Sequence, residues 1–239
     1  MKPKTILAAA LVSVLALATT VAQAGEIGHY APGVANIRDY TVPDPGFYGA
    51  LYNYWYSTDR LNDRNGNKVS SITVGPGPGV TLGLDLDVDV YAVSPMFIWV
   101  SDWKVLGAKY AAYIAPSFSS SSVGASLATA TGRGINSDTS SFGVGDLFVQ
   151  PLWLGWSRTN WDFALGYGFY APVGKYSTET VTLPVVGSFK SESSDNIGLG
   201  FWEQQIQGAV SWYPWADKRM AVSAVMTYGI PQKKLHEGS

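Results

Sequence analysis

Between Leu82 and Ala92 the even positions are Leu82, Leu84, Leu86, Val88, Val90 and Ala92. The odd positions are Gly83, Asp85, Asp87, Asp89 and Tyr91. Successive side chains of a strand point to opposite sides, so this alternation predicts a β-strand with one aliphatic and one acidic face. Two architectures accept such a strand. In a soluble sheet the acids face water. In a transmembrane barrel the aliphatics face lipid and the acids face a wet interior.

The rest of the chain supplies the rhythm that favours the barrel. Strands are expected over residues 47–57, 81–99, 105–118, 142–156, 161–173, 197–213 and 219–229. Between them lie polar or Gly/Pro/Ser-rich stretches at 58–79, 119–141 and 174–196, which read as long loops. Short polar turns are expected at 101–104 (SDWK), 157–160 (SRTN) and 214–218 (PWADK). Long and short connections therefore alternate. Outer-membrane barrels show this asymmetry, with short periplasmic turns and longer extracellular loops. The expected fold class is all-β: an antiparallel up-and-down transmembrane β-barrel with seven strands visible. Because such barrels usually have an even strand number, the chain reads as part of a larger barrel and, taken alone, as an open sheet. The expected division is a leader at 1–24, a periplasmic segment at 25–46, the barrel at 47–230 and the start of an outer loop at 231–239.

Tryptophan placement supports the same picture. Trp99, Trp103, Trp156, Trp161, Trp212 and Trp215 all lie close to the three short turns. Indole rings prefer the membrane–water boundary, so these six are expected to form one interface girdle. Tyr54, Trp55, Tyr56, Phe118, Phe142, Tyr176, Phe201, Trp202 and Tyr228 lie near the opposite strand ends and are candidates for the other. In residues 161–173 the expected lipid face is Phe163, Leu165, Tyr167 and Phe169, with Asp162, Ala164, Gly166, Gly168 and Tyr170 inside. In the following strand Glu203, Gln205 and Gln207 share the inner face. Gln204 falls on the apolar side and therefore requires a neighbouring partner or an interfacial position.

Composition narrows the class further. Residues 1–24 have a basic start (Lys2, Lys4), an apolar stretch and Ala22-Gln23-Ala24, the pattern of a cleaved secretory leader. The chain has no cysteine, so no disulfide framework is expected. Charged residues are 14% and aromatics 13%, fewer charges than in ordinary soluble domains. The net charge of −2 argues against nucleic acid as a partner. Location in a Gram-negative outer membrane is expected, with lipid, lipopolysaccharide and a small-molecule substrate as partners.

The motifs His29-Tyr30-x-Pro32-Gly33, Pro45-Gly46-Phe47-Tyr48, Pro95 with Trp99, and Leu106-Gly107-Ala108-x-Tyr110 add a more specific signal. Through them the chain resembles a family of proteobacterial outer-membrane proteins named for a meta-pathway of phenol degradation. The resemblance implies an outer-membrane barrel and uptake of hydrophobic or aromatic compounds. It implies no substrate and no catalytic residue.

Candidate chemistry is sparse. Asp85, Asp87, Asp89, Glu203 and Gln205 are expected to line the lumen and to make the pore prefer cations. The Asp85–Asp89 spacing is not a calcium loop, since it lies on a strand and lacks the required glycine. Asp63-Arg64-Asn65-Gly66-Asn67 reads as an Asn-Gly turn. The two histidines, His29 and His236, lie off the expected strands. With no Ser, His and Asp at useful spacing, no enzyme activity is expected. No cofactor and no metal are expected either. The functional expectation is passive uptake of small hydrophobic or aromatic compounds through an outer-membrane channel. A non-conducting structural or surface-interaction barrel is the alternative, and a soluble exported sandwich a third.

Overall fold

The computed structural model describes residues 28–29, 37–63, 65–74, 80–128, 134–183, 187–193 and 195–234. Among them there is no helix. The protein is all-β, an antiparallel sheet curled into an open half-barrel. The expected leader and His236 lie outside the described residues.

The strands are β1 (Gly46–Thr58), β2 (Ser71–Val74), β3 (Val80–Val105), β4 (Ala108–Ala115), β5 (Phe118–Ala128) and β6 (Gly134–Val144), followed by β7 (Leu147–Ser157), β8 (Trp161–Ala171), β9 (Thr178–Leu183), β10 (Gly187–Glu192), β11 (Glu203–Trp212) and β12 (Val222–Pro231). The sheet runs β12-β11-β8-β7-β4-β3, with β1 and β2 on the other side of β3. Strand β3 serves two levels: its C-terminal part pairs with β4 and its N-terminal part with β5. Strands β4 and β5 are one wall strand bent at residues 116–117. Strands β6 and β7 are likewise one strand bent at 145–146. The bends are tied together, because Gly145 N donates to Ser117 O (2.9 Å) and Ser117 Oγ donates to Asp146 O (2.9 Å). Counted this way the wall has the seven strands expected: β1, β3, β4–β5, β6–β7, β8, β11 and β12.

Three connections differ from expectation. Residues 101–104 stay within β3, and the turn is Leu106-Gly107, with φ of 52° and 77°. Two residues at positive φ are what a tight hairpin between twisted strands requires. Leu106 tolerates this although it is not glycine, so its side chain gave no turn signal. The stretch 119–141 is not a loop: β5 and β6 form a hairpin that extends the wall. Serine suits a strand whose face meets water, and composition alone misread it. Part of 174–196 likewise forms the β9–β10 hairpin.

The faces of the wall follow from register. Val100 pairs with Ala111, Ala111 with Trp153, Trp153 with Gly166 and Gly166 with Gln207, so these five share one side. We term it the inner face. Val42 covers it and packs into a cluster with Val100, Ala111 and Trp153. Gly155, two residues along β7 from Trp153, lets Val42 sit close: a Cβ placed there would lie 2.6 Å from Val42 Cγ2. Burial of a valine of this kind is worth on the order of 1.5–3 kcal/mol.

The stretch before β1, expected as a periplasmic segment at 25–46, is tied to the sheet. Its described residues lie along the inner face. Tyr52 Oη donates to Asp39 (2.8 Å), Lys109 Nζ to Asp44 (2.7 Å) and Ser223 Oγ to Ile37 O (3.0 Å). Lys109 holds the Asp44 carboxyl below the usual carboxylate range by hydrogen bond and charge.

Register also corrects the reading of residues 82–92. No irregularity interrupts the pairing of β3 with β1 and β5, so parity is kept from Gly83 to Val100. Leu82, Leu84 and Leu86 share the inner side with Val100 rather than facing outward. Leu84 is buried with Ile72, and Leu61, Val69, Leu82 and Leu86 pack around them. The β1–β2 connection thus covers the aliphatic face that was expected to meet lipid.

Candidate functional site

The inner face holds polar groups at three levels. At the long-connection end, the imidazole of His29 lies between two carboxylates. Nε2 is 2.8 Å from Asp146 Oδ2 and Nδ1 is 2.9 Å from Glu203 Oε2. The His29 backbone N donates to the same Glu203 oxygen at 2.9 Å. The ring stacks on Tyr170 (4.2 Å between centroids) and meets Phe201 edge-on (5.1 Å). Asp146 reaches inward at the bend between β6 and β7. It also accepts from Gly174 N (3.0 Å) and Leu199 N (2.8 Å), tying both ends of the β8–β11 connection to the wall. Glu203 opens β11 and is 2% exposed. Its carboxylate occupies the space a side chain at Gly229 would need, since a Cβ there would lie 2.3 Å from Oε1.

Each contact of the ring requires one hydrogen between nitrogen and oxygen. A neutral ring supplies one hydrogen, so the cluster holds one further proton, on the ring or on a carboxyl group. With both nitrogens engaged, the ring is a clamp rather than a free base.

The middle level is neutral and polar. Tyr113 Oη donates to Gln150 Oε1 (3.0 Å), and Gln207 Nε2 donates to Gln205 Oε1 (2.7 Å). Gln150 and Gln205 are 2% and 1% exposed. At the short-turn end, Asp162 accepts from Tyr213 Oη (2.6 Å) and from Lys218 Nζ (2.9 Å). Lys218 Nζ also lies over the Tyr213 ring at 4.4 Å, and the Arg38 guanidinium approaches the same ring at 5.9 Å.

The outer face is different. It exposes Phe47, Leu51, Trp55, Tyr91, Phe97, Phe163 and Leu165. Asp85, Asp87 and Asp89 lie on this face, because they share parity with Tyr91, Phe97 and Trp99. All three are exposed. Next to Asp87 in the rows are Gly124 on β5 and then Asp138 on β6. The expectation that the three aspartates line the interior with Glu203 and Gln205 is thus corrected. Only Glu203 and Gln205 are on the inner face. The signal was present in the sequence, since 85, 87 and 89 have the parity of the outward Phe97 and Trp99. Along the outer face the change is abrupt: the row Trp55–Tyr91–Ser120–Phe142 is followed by Ser57–Asp89–Ser122–Ser140.

The six tryptophans all lie at the short-turn end. Trp99 meets Trp103 edge-on at 5.9 Å, and Trp161 lies 6.3 Å from Trp212. Trp156 Nε1 donates to Leu106 O in the turn (3.1 Å), and Arg219 lies over Trp215 at 5.2 Å. Phe201 is not at the outer edge as expected but buried on the inner face, against His29. Sequence reasoning missed the partnership of His29 with Asp146 and Glu203. No local spacing joins residues so far apart. The sole hint was a glutamate among glutamines in a strand otherwise apolar or small.

A family described as "Putative MetA-pathway of phenol degradation" matches residues 58–238, most of the chain. The chain belongs to that family. No curated protein and no solved structure matches it. The family match covers the whole wall except β1. The N-terminal residues that occupy the inner face precede the matched region.

Proposed function

We propose that this protein is a non-enzymatic outer-membrane channel for passive uptake of small hydrophobic or aromatic compounds. The observation behind this reading is the contrast between the faces of one wall. The outer face is apolar and bounded at the short-turn end by tryptophans. The inner face bears Glu203, Gln205, Gln207, Gln150, Tyr113 and Asp162. A sheet with a polar concave side and a greasy convex side is the pattern of a membrane barrel. From Tyr91 to Trp99 the strand runs about 27 Å at ~3.4 Å per residue, comparable to an apolar band when tilted. The acids at 85–89 stand beyond that band, on the side of the long connections, where the outer face meets headgroups and water. Membership of a family named for phenol degradation supports aromatic compounds as cargo. The secretory leader read in residues 1–24 supports export.

A specific observation favours a second reading. Val42 and its neighbours fill part of the inner face, which suits a barrel that serves as scaffold or surface ligand and conducts nothing. A deletion strain separates the two. Slower uptake of and growth on aromatic compounds, restored by the gene on a plasmid, is expected for a channel. Unchanged uptake overturns it. Heat-modifiable mobility of the purified protein in detergent gels tests the barrel independently.

A further inference from the structure

Strand β7 carries an extra residue in the middle of the wall. Val149 pairs with Phe169 and Leu152 with Tyr167, so β7 advances further than β8 between the two pairs. Against β4 the same excess appears, where Gln150 pairs with Tyr113 and Trp153 with Ala111. The unmatched residue is Pro151, which is paired with no residue of either neighbour. Proline has no N–H to give to a ladder, so a bulge is where a wall strand can hold it.

Beside this bulge a groove of about 700 Å³ opens on the outer face, crossing β1, β3, β4 and β7. That volume is ordinary for a small-molecule pocket. Phe47, Phe97, Trp99, Tyr110, Ile114 and Pro151 line it. It is open at Gly49, where a Cβ would meet nothing within 4 Å. Trp99 meets Tyr110 edge-on at 6.0 Å. Aromatic rings take further rings edge-on or offset, so these walls suit a flat aromatic guest.

One polar feature is built into this apolar surface. Tyr110 Oη donates to Pro151 O (2.8 Å). A phenolic hydroxyl has a single hydrogen, and here it is committed to the bulge carbonyl. Toward a guest the Tyr110 oxygen can only accept, and Pro151 brings no N–H. The corner formed by the two residues therefore takes a hydrogen bond and gives none. The Trp99 indole N–H would serve a hydroxyl and its methyl ether alike and does not separate them.

We propose that the outer groove is a binding site for small aromatic compounds that carry a hydroxyl or amino hydrogen, reached from the lipid side of the wall. The proposal rests on the membrane reading above. To that reading it adds a place where cargo dissolved in the bilayer is held, and a chemical rule for which cargo is held. In hydrocarbon no water competes for the hydrogen of the guest, so its bond to Tyr110 discriminates. The same ring with its hydroxyl methylated fills the same space and leaves the corner unmet.

The test is photolabelling of the full chain, folded in lipid vesicles and checked for heat-modifiable mobility. The probes are a phenyl trifluoromethyl diazirine with a meta-hydroxyl and the methyl ether of the same compound. Labelling is normalised to that of the lipid, which corrects for partition and photochemistry, and peptide mapping locates the attached probe. The hydroxyl probe is expected to label the residues around Phe47, Phe97 and Tyr110 about tenfold more than the ether. Gly49→Leu fills the groove without a clash and is expected to remove that labelling. Gly208, which pairs with the outward Leu165, is equally open. Gly208→Leu is therefore the control and is expected to leave the labelling unchanged. Equal labelling by the two probes overturns the hydrogen-bond rule and the proposal with it. Labelling spread evenly along the outer face, or unmoved by Gly49→Leu, shows lipid-like contact only and overturns the site. The deletion strain judges the channel reading separately. Slowed uptake with an unlabelled groove removes the site and keeps the channel, whereas a labelled groove with unchanged uptake keeps the site and removes the channel.

Discussion

Tyr91 and Asp89 point to the same side of β3, one pleat apart, and between them the outer face turns from aromatic to acidic. Tyr91 Oη donates to Asn53 on β1 (2.7 Å), whereas Asp89 faces Ser57 and Ser122. An acid on the outer face cannot govern an ion path on the inner one. Replacing Asp85, Asp87 and Asp89 together by asparagine is therefore expected to leave the reversal potential in a salt gradient unchanged. Stability is expected to change by no more than about 0.5 kcal/mol per site, as at other exposed positions. A shift toward anions in the triple variant would return these residues to the interior.

Gly155 and Val42 provide a test of the inner segment that needs no channel assay. A Cβ at Gly155 would lie 2.6 Å from Val42 Cγ2 and 2.7 Å from its Cβ. Overpacking of that kind costs roughly 1–3 kcal/mol. Gly155→Ala is expected to lower unfolding stability in detergent by about that amount. Val42→Ala should lower it too, by removing a buried valine. The double variant is expected to lose somewhat less than the sum of the single losses, because the contact with Cγ2 is removed while the one with the Cβ that alanine keeps remains. Simple additivity would mean that Val42 does not sit against Gly155.

How much of this was legible in the sequence depends on range. Parity within a strand is local, so the faces of β8, β11 and β12 could be read directly, as could the short turns after Ser157 and Trp212. The turn at Leu106-Gly107 was missed because its leucine sits at positive φ, a conformation its type does not advertise. The serines of β5 and β6 read as loop because a strand wetted on its face has loop-like composition. The inversion of Leu84 and Asp85 was a different failure. Alternation alone gives two faces; the parity Asp85 shares with Phe97 and Trp99 was the available sign, and Leu61 and Val69 of the β1–β2 connection, packing against Leu84 and Ile72, supply the long-range reason. His29 lies at the far limit. Its partners are 117 and 174 residues away, and register across the whole wall is needed to bring them together.

Asp162, Tyr213 and Lys218 close the short-turn end of the inner face. Tyr213 is 0% exposed and Asp162 5%. Asp162→Ala would leave the buried Tyr213 hydroxyl and the Lys218 ammonium without their acceptor. Breaking a buried pair from one side costs about 3–5 kcal/mol. Lys218→Ala is expected to cost less, because the ammonium end is more accessible and Tyr213 still bonds Asp162. Urea unfolding of the refolded protein in micelles measures both. Equal losses in the two variants would show that the lysine, not the buried tyrosine, carries the contribution of Asp162.

Gln204 is the one amide on the apolar side of β11, and its partner is Tyr167, whose hydroxyl donates to Gln204 Oε1. Gln204 is paired with Phe169 in register, and Tyr167 with Ile206, so the contact is diagonal across neighbouring strands. Diagonal neighbours remain within reach of long and aromatic side chains. On a lipid-facing surface there is no water to take over a lost bond. Tyr167→Phe is therefore expected to destabilise the protein in lipid by about 1–3 kcal/mol, the cost of an unsatisfied buried polar group. Gln204→Leu removes the polar group itself but leaves the Tyr167 hydroxyl without its acceptor. Replacing both should recover most of the loss, since two apolar groups of similar shape leave nothing unpaired. The measurement is denaturant unfolding in lipid vesicles of the two single variants and the double. A double variant as unstable as the sum of the singles would mean that the two side chains do not meet in the membrane. Recovery in vesicles together with near-additivity in water-rich micelles would tie the pair specifically to the lipid face.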